Sequence, residues 1–263
     1  MIINSMSGGL GNQLFQISAG FALSLRLKTK YSINYEIGGM GPGQGKINKT
    51  YKDTLYSKIK RTTHRIFTPY KQEFMMDDID VNIFTPIPLI DNLCLIGYFQ
   101  SQKYFEDYQD EIKNLFIFPE ERTKKIRDKF NKFKRKKVGV HIRMGDYQKI
   151  KEILPPVSQN YILKALSLFD KKDHDFFLFT DDLESVKNNF DISNYNFLHN
   201  CDEIDDMISL SMCDSVIMSN STFSWWGSWF GDQKEKIIAP KNWFGPKGAK
   251  HFQDLYRDEM IKL

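Results

Sequence analysis

Cysteine is scarce in this 263-residue chain: Cys94, Cys201 and Cys213 stand far apart, with no CxxC pair and no histidine cluster beside them. Neither a disulfide framework nor a structural zinc site is expected, and a reducing compartment is. Long apolar runs are missing too. The most apolar helix-like stretch, residues 14–27, is broken by Gln16, Ser18, Ser24 and Arg26, well short of the roughly 18 uninterrupted apolar residues of a membrane span. The opening "MIINSMSGGLGNQ" has no cationic segment ahead of its apolar residues and is not expected to be a signal peptide. An excess of one charge is also absent, since 37 basic residues face 33 acidic ones, which gives no reason to expect a nucleic-acid partner. A cytoplasmic protein is the expectation.

What is present is a large apolar and aromatic fraction, enough for one large or two ordinary cores. The chain starts as strand "MIINSM", glycine turn "SGGLGN", a helix over about 13–27 and strand "YSINYE", a β-loop-α-β opening. Residues 38–46, "GGMGPGQGK", read as a loop, with closure over a ligand as one use. "LCLIGYF" reads as a buried strand, and the segment after it has the apolar spacing of an amphipathic helix through Tyr104, Phe105, Tyr108, Ile112 and Leu115. Residues 123–137 carry nine Lys or Arg interleaved with Ile126, Phe130 and Phe133. This segment reads either as a solvated helix and linker or as an attachment to anionic lipid headgroups, peripheral on the inner face of a membrane. Beyond it, strands "VGVHI", "DFFLFT", "SVIMS" and "KIIAP" alternate with helices at about 158–169, 182–189, 203–212 and 222–230, with a short strand near "YNFL". Such alternation predicts a parallel sheet with helices on both faces, hence two α/β halves joined near residue 130.

Ligands of open parallel sheets bind beyond the carboxyl ends of the strands, where loop amides and helix N-termini meet. That rule selects Arg143, Gly145 and Asp146 after "VGVHI", Asp181 and Asp182 after "DFFLFT", and Asn220, Ser221 and Thr222 after "SVIMS". Arg143 reads as a phosphate clamp or as a salt-bridge partner of Asp146 or Asp181. Gly145 either allows a turn with φ > 0 or lets a phosphate approach the backbone, and "SNST" reads as an anion site or a plain N-cap. Gly8, Gly9 and Gly11 form a turn whose backbone can face a pyrophosphate, although it is neither GxGxxG nor a P-loop. Trp225 and Trp226 read mainly as core, with sugar stacking as the rival. The triplets at residues 78–80 and 173–175 match a loose DxD metal pattern, but the second precedes its strand and so falls at the wrong edge.

In this order, "GGLGNQLFQ", "GYFQSQKYF", "HIRMGDY", "FTDD" and "SNSTFSWWGSWF" resemble the alpha-1,2-fucosyltransferases of glycosyltransferase family 11, over residues 5–245. The resemblance implies an α/β fold of the GT-B type, two Rossmann-like domains facing across a cleft: residues 1–130 on the acceptor side and 131–263 binding GDP-fucose. It implies inverting transfer of L-fucose from GDP-β-L-fucose to the 2-hydroxyl of galactose or a related sugar, in a bacterial surface glycan such as O-antigen, on an acceptor that can be lipid-linked. No metal and no other cofactor is implied.

The family's HxRRGDY motif falls on His141, Arg143, Met144, Gly145, Asp146 and Tyr147, with Met144 in place of the second arginine. By resemblance Arg143 and Asp146 are catalytic. The donor is expected at His141, Arg143, Asp181, Asp182, Asp206, Asn220, Ser221, Thr222, Gly9, Gly11 and Asn12, with Asp206 of "DMISLS" reading guanine. Gln13, Trp225 and Trp226 are expected on the acceptor side, and Glu36, Glu73 and Asp77 are candidates for the base. Two rivals stay open: a non-catalytic carbohydrate binder stacking sugars on Trp225, Trp226 and Tyr147, and a metal-dependent sugar-nucleotide transferase.

Overall fold

A computed structural model describes residues 1–35, 51, 54–60, 72–75, 83–199 and 202–263. The loop at 38–46, the candidate bases Glu36 and Asp77, the triplet at 78–80 and Cys201 lie outside the described residues. The chain divides into two compact units, Met1–Phe118 with Ala249–Arg257, and Pro119–Gly248 with Asp258–Leu263.

The first unit holds strands β1 (Ile2–Ser5), β2 (Tyr31–Asn34), β3 (Gln72–Met75) and β4 (Leu93–Ile96), all parallel, in the order β2-β1-β4-β3. Helix α1 (Leu10–Arg26) links β1 to β2 and is buried almost all round, which is why its apolar stripe is interrupted by residues as polar as Gln13, Gln16 and Ser18 without exposing them. Its polar groups are satisfied locally: Ser18 donates to the Leu14 carbonyl (2.8 Å), and Gln16 exchanges two hydrogen bonds with Ser7 (3.0 and 2.7 Å). The amphipathic spacing after β4 does not give one helix. Two single-turn 3₁₀ segments, Gln102–Tyr104 and Glu106–Tyr108, precede α2 (Gln109–Leu115), because Phe105 and Tyr108 leave helical geometry (φ −138° and −129°) while Phe105 is fully buried.

The second unit has helix α3 (Glu120–Phe130), then strand β5 (Lys136–Ile142), α4 (Gln159–Leu166), β6 (His174–Thr180), α5 (Leu183–Asn189), α6 (Glu203–Met212), β7 (Ser215–Ile217), α7 (Thr222–Trp229), β8 (Lys236–Ala239) and β9 (Met260–Lys262). Its five strands are parallel in the order β6-β5-β7-β8-β9. The expected strand near "YNFL" reduces to one bridge, Asn196 beside Phe177. Strands β3 and β9 escape periodicity: β3 is largely exposed and polar, and β9 is three residues long at a sheet edge.

The division falls after residue 118, not near 130 as the charge run suggested. The reason is apolar. Ile126 and Phe130 are buried, the Phe130 and Phe133 rings meet Phe177 edge-on at 4.9 and 4.8 Å, and Arg122 bridges Asp202 and Asp205 at the start of α6 (2.6 Å to Asp205). Those contacts attach the basic helix to the second sheet.

Candidate active site

In the second sheet the chain leaves β5 toward β6 on one side and continues through β7, β8 and β9 on the other. The point where strand order reverses, between β5 and β7, is where an open α/β sheet leaves a crevice at its carboxyl edge. The register fills it. Ile142 pairs with Thr180, so the next residues, Arg143 and Asp181, stand side by side. Val140 pairs with Ile217, and the same register continued brings His141 and Arg143 level with Met218 and Asn220.

Arg143 donates from Nε (3.1 Å) and Nη2 (2.8 Å) to Asp146 Oδ1, and its Nε lies 3.3 Å from Asp181 Oδ2. Both salt bridges considered from the sequence are therefore present. Burial opposes the guanidinium's charge, but Asp181 and Asp146 outweigh it and raise its pKa above the ordinary value. Its Nη1 group makes no hydrogen bond among the described residues, leaving donors for an anion. The guanidinium sits over the Tyr147 ring, 5.5 Å from the centroid.

Gly145 has φ −13°, so a left-handed turn is not its purpose. A Cβ there would lie 2.1 Å from Asp181 Oδ2; it is the carboxylate that approaches the backbone. Asp181 in turn accepts from the Met144 N–H at 2.9 Å. The Met144 side chain points away from these charges, into the apolar cluster of Val140, Ile142, Val157 and Tyr161.

The β5 and β7 loops are stitched by buried polar groups. His141 Nδ1 and Ser219 Oγ are 2.6 Å apart, and the Tyr147 hydroxyl donates to the Asn220 carbonyl at 2.9 Å. Burial, reinforced by the Arg143 charge, lowers the His141 pKa to about 3, so the ring is neutral at ordinary pH. Asn220 Nδ2 donates to the carbonyls of Pro155 (3.0 Å) and Trp243 (2.8 Å). Ser221 caps α7 through the Phe223 N–H, and Thr222 is the first residue of the helix, so the positive end of its dipole lies at this edge.

Asp182 is one residue beyond this cluster and caps α5, accepting from the Ser185 N–H (3.0 Å) and hydroxyl (2.6 Å), which lower its pKa. Asp206, one turn into α6, lines a cavity of about 220 Å³ with Thr180, Leu183, Leu198 and His199. This is the right size for a flat heterocycle's edge and carries one carboxylate, at the carboxyl end of β6.

Gly9, Gly11, Asn12 and Gln13 belong to the first unit. Gly9 is the N-cap of α1, and Gly11 is inside the helix, not in the turn. Asn12 accepts from Gln100 Nε2 (2.9 Å), and Gly8, at φ +71°, packs under Asn12 and the Tyr98 ring. The motifs "GGLGNQ" and "GYFQ" therefore meet at the carboxyl ends of β1 and β4. Gln13 is fully buried, which removes it from direct contact with an acceptor.

Trp225 and Trp226 are also fully buried and Tyr147 nearly so. They are core: the two indoles meet edge-on at 5.1 Å. The expected acceptor platform, and with it the stacking surface of a carbohydrate-binding module, is not built from them. Among the described residues no group of three or more His, Cys, Asp or Glu is arranged to hold a metal ion, and Asp175 of the 173–175 triplet is paired with Arg135. No helix among them is long and apolar enough to cross a membrane. The sequence missed the Ser219 and Tyr147 bonds, since both need the β5–β7 pairing to be seen.

The profile of Glycosyl transferase family 11 matches residues 5–263. The O-antigen biosynthesis glycosyltransferase WbnK of Escherichia coli is 24% identical, covering 98% of this chain and 99% of its own. An alpha-1,2-colitosyltransferase of the same organism is 27% identical over 93% of this chain and 92% of its own. Among solved structures, fucosyltransferase NodZ from Bradyrhizobium superposes with TM-score 0.55 at 14% identity, covering 86% of this chain and 92% of that one. POFUT1 in complex with GDP gives 0.52 at 14%, covering 90% and 96%. At that identity the likeness is one of fold, the two-unit α/β arrangement of the GT-B type.

Proposed function

The chain belongs to glycosyl transferase family 11, and from that premise we propose that it moves L-fucose from GDP-β-L-fucose, with inversion and without a metal, to the 2-hydroxyl of a galactose or related sugar. The acceptor in this reading is a surface glycan such as O-antigen, in keeping with the relative named for that biosynthesis.

The observation that carries the proposal is the β5–β7 edge. Arg143, whose Nη1 makes no hydrogen bond among the described residues, and the N-terminus of α7 stand at that edge, and the Asp206 cavity lies at the carboxyl end of β6 beside it. A diphosphate fits the first pair and a guanine, which carries donors on its edge, fits the second. As the anomeric bond breaks, negative charge grows on the departing diphosphate and positive charge on the sugar. Arg143 and the α7 amides stabilise that leaving group, while Asp146 and Asp181 hold the guanidinium in place. Among the base candidates, Glu73 alone lies in a described segment, exposed on β3.

A cytoplasmic enzyme touching an anionic membrane through α3 is part of the same reading. Glu120, Glu121 and Asp128 stand four residues ahead of Lys124, Lys125 and Lys132, the spacing of self-paired surface charges, so this contact is expected to be weak and salt-sensitive, as liposome cosedimentation would measure.

The direct test is incubation with GDP-fucose and a panel of galactosides in EDTA, reading GDP release and the linkage and anomeric configuration of the product by NMR. No GDP release with any acceptor sinks the proposal, and activity abolished by EDTA and restored by a divalent ion replaces it with the metal-dependent reading. Colitose belongs in the donor panel because the 27% identical relative is named for its transfer.

A further inference from the structure

The buried Gln13 is the last link of a hydrogen-bond chain whose direction can be assigned. Tyr56, fully buried, donates its hydroxyl to Gln13 Oε1 at 2.5 Å. A phenol has one hydrogen, so Tyr56 must accept from the Tyr51 N–H (3.2 Å) and from the Tyr35 hydroxyl (2.9 Å). Gln13 then has only its Nε2 to offer onward, and it donates to the Gly8 carbonyl at 2.9 Å. The chain runs one way, Tyr35 to Tyr56 to Gln13 to Gly8.

Its end point matters because a peptide unit is planar and trans. Pinning the Gly8 carbonyl aims the Gly9 N–H to the opposite side. The Gly9 carbonyl accepts from the Gln13 N–H at 3.0 Å, while the side on which a Cβ would stand is open, with nothing within 4 Å. Gly8 itself sits at φ +71°, a conformation that glycine enters and leaves easily, so the turn needs an external restraint to hold one geometry.

We infer that Tyr56 is a positioning residue: acting through Gln13, it fixes the Gly8–Gly9 peptide so that the Gly9 amide is held ready for an anionic oxygen of the substrate. The inference rests on the proposed assignment of Gly9 to the nucleotide-sugar donor. Tyr35 supports the same chain one link farther out.

Tyr56→Phe removes one hydroxyl and almost no volume, and two readouts decide. In hydrogen–deuterium exchange, amides of residues 7–12 should exchange about tenfold faster than in the parent protein, with the β1 and β4 strands unchanged. In kinetics, the KM for GDP-fucose should rise about tenfold, with kcat and acceptor KM within about twofold. Tyr35→Phe should move the same quantities in the same direction by less. A lower melting temperature with unchanged exchange at residues 7–12 and unchanged KM makes Tyr56 an ordinary core residue and overturns the inference. Should Tyr56→Phe not fold, Tyr35→Phe decides alone, and unaltered exchange at residues 7–12 overturns it. If the parent enzyme releases no GDP from GDP-fucose, the proposed function fails instead, and the exchange comparison still decides the role of Tyr56.

Discussion

The carboxyl edges of the two sheets solve the same topological problem with different chemistry. In each, strand order reverses beside the first strand of the unit, between β1 and β4 and between β5 and β7, and two loops meet there. In the second unit the meeting is charged: one guanidinium between two carboxylates, with a neutral imidazole buried near it. In the first unit the bonds that link Gly8, Asn12, Gln13, Tyr56 and Gln100 are neutral, made by amides, hydroxyls and glycine backbone. A charged edge is suited to hold an anion and offset charge that develops on it; a neutral edge with a pinned backbone offers direction with little long-range attraction. Glycine serves opposite purposes in the two. Gly145 makes room for a neighbouring carboxylate inside the protein, whereas Gly9 faces open space.

The sharpest way to break this comparison is at Arg143. Arg143→Lys keeps the charge but loses the fork, and kcat/KM should fall roughly 10²–10³-fold, as for removal of other transition-state donors; near-normal turnover would mean the charged edge is only structural. Next is Met144→Arg, which restores the family's second arginine. Because the side chain lies in the apolar cluster, it should lower stability in urea by about 3 kcal/mol instead of strengthening GDP binding.

The neutral histidine gives a pH signature. Its folded pKa of about 3 lies below the ordinary value of 6.5, so between those values the unfolded chain binds the extra proton. Stability contributed by this group is complete above about pH 6.5 and is lost as pH falls toward 3, at up to about 1.4 kcal/mol per pH unit. His141→Asn should flatten that slope in melts taken at several pH values.

The smallest effect is expected at Gly9→Ala. With open space around it and an extended φ of −79°, stability should change by about 1 kcal/mol or less, so a loss of donor affinity by calorimetry would report ligand approach and not a damaged fold.

Much of the charged edge was legible in the sequence because a parallel sheet brings the residues just past each strand to one side. "HIR", "FTD" and "SNST" each end a strand-like run, and pairing needed only to exist for them to converge. The neutral edge was legible only in part. Tyr35 and Tyr56 lie in no motif, and Tyr56 is 43 residues from Gln13 in the chain. For the tryptophans the core reading holds and the acceptor-side role implied by the resemblance does not: helical spacing separates faces but does not say which of them is covered, and the Trp225 and Trp226 indoles are fully enclosed.

By itself the sequence determined the alternation of strands and helices, the family, and the residue types available at the strand ends, because hydrophobic periodicity and local turn chemistry are properties of neighbours along the chain. Only the tertiary structure decided that Arg143 bridges two carboxylates, that Met144 faces the core, that α3 belongs to the second unit and that Gln13 is a buried link instead of a contact. Each of those depends on partners brought within hydrogen-bond or van der Waals reach by strand register and packing, distances that the order of residues does not specify.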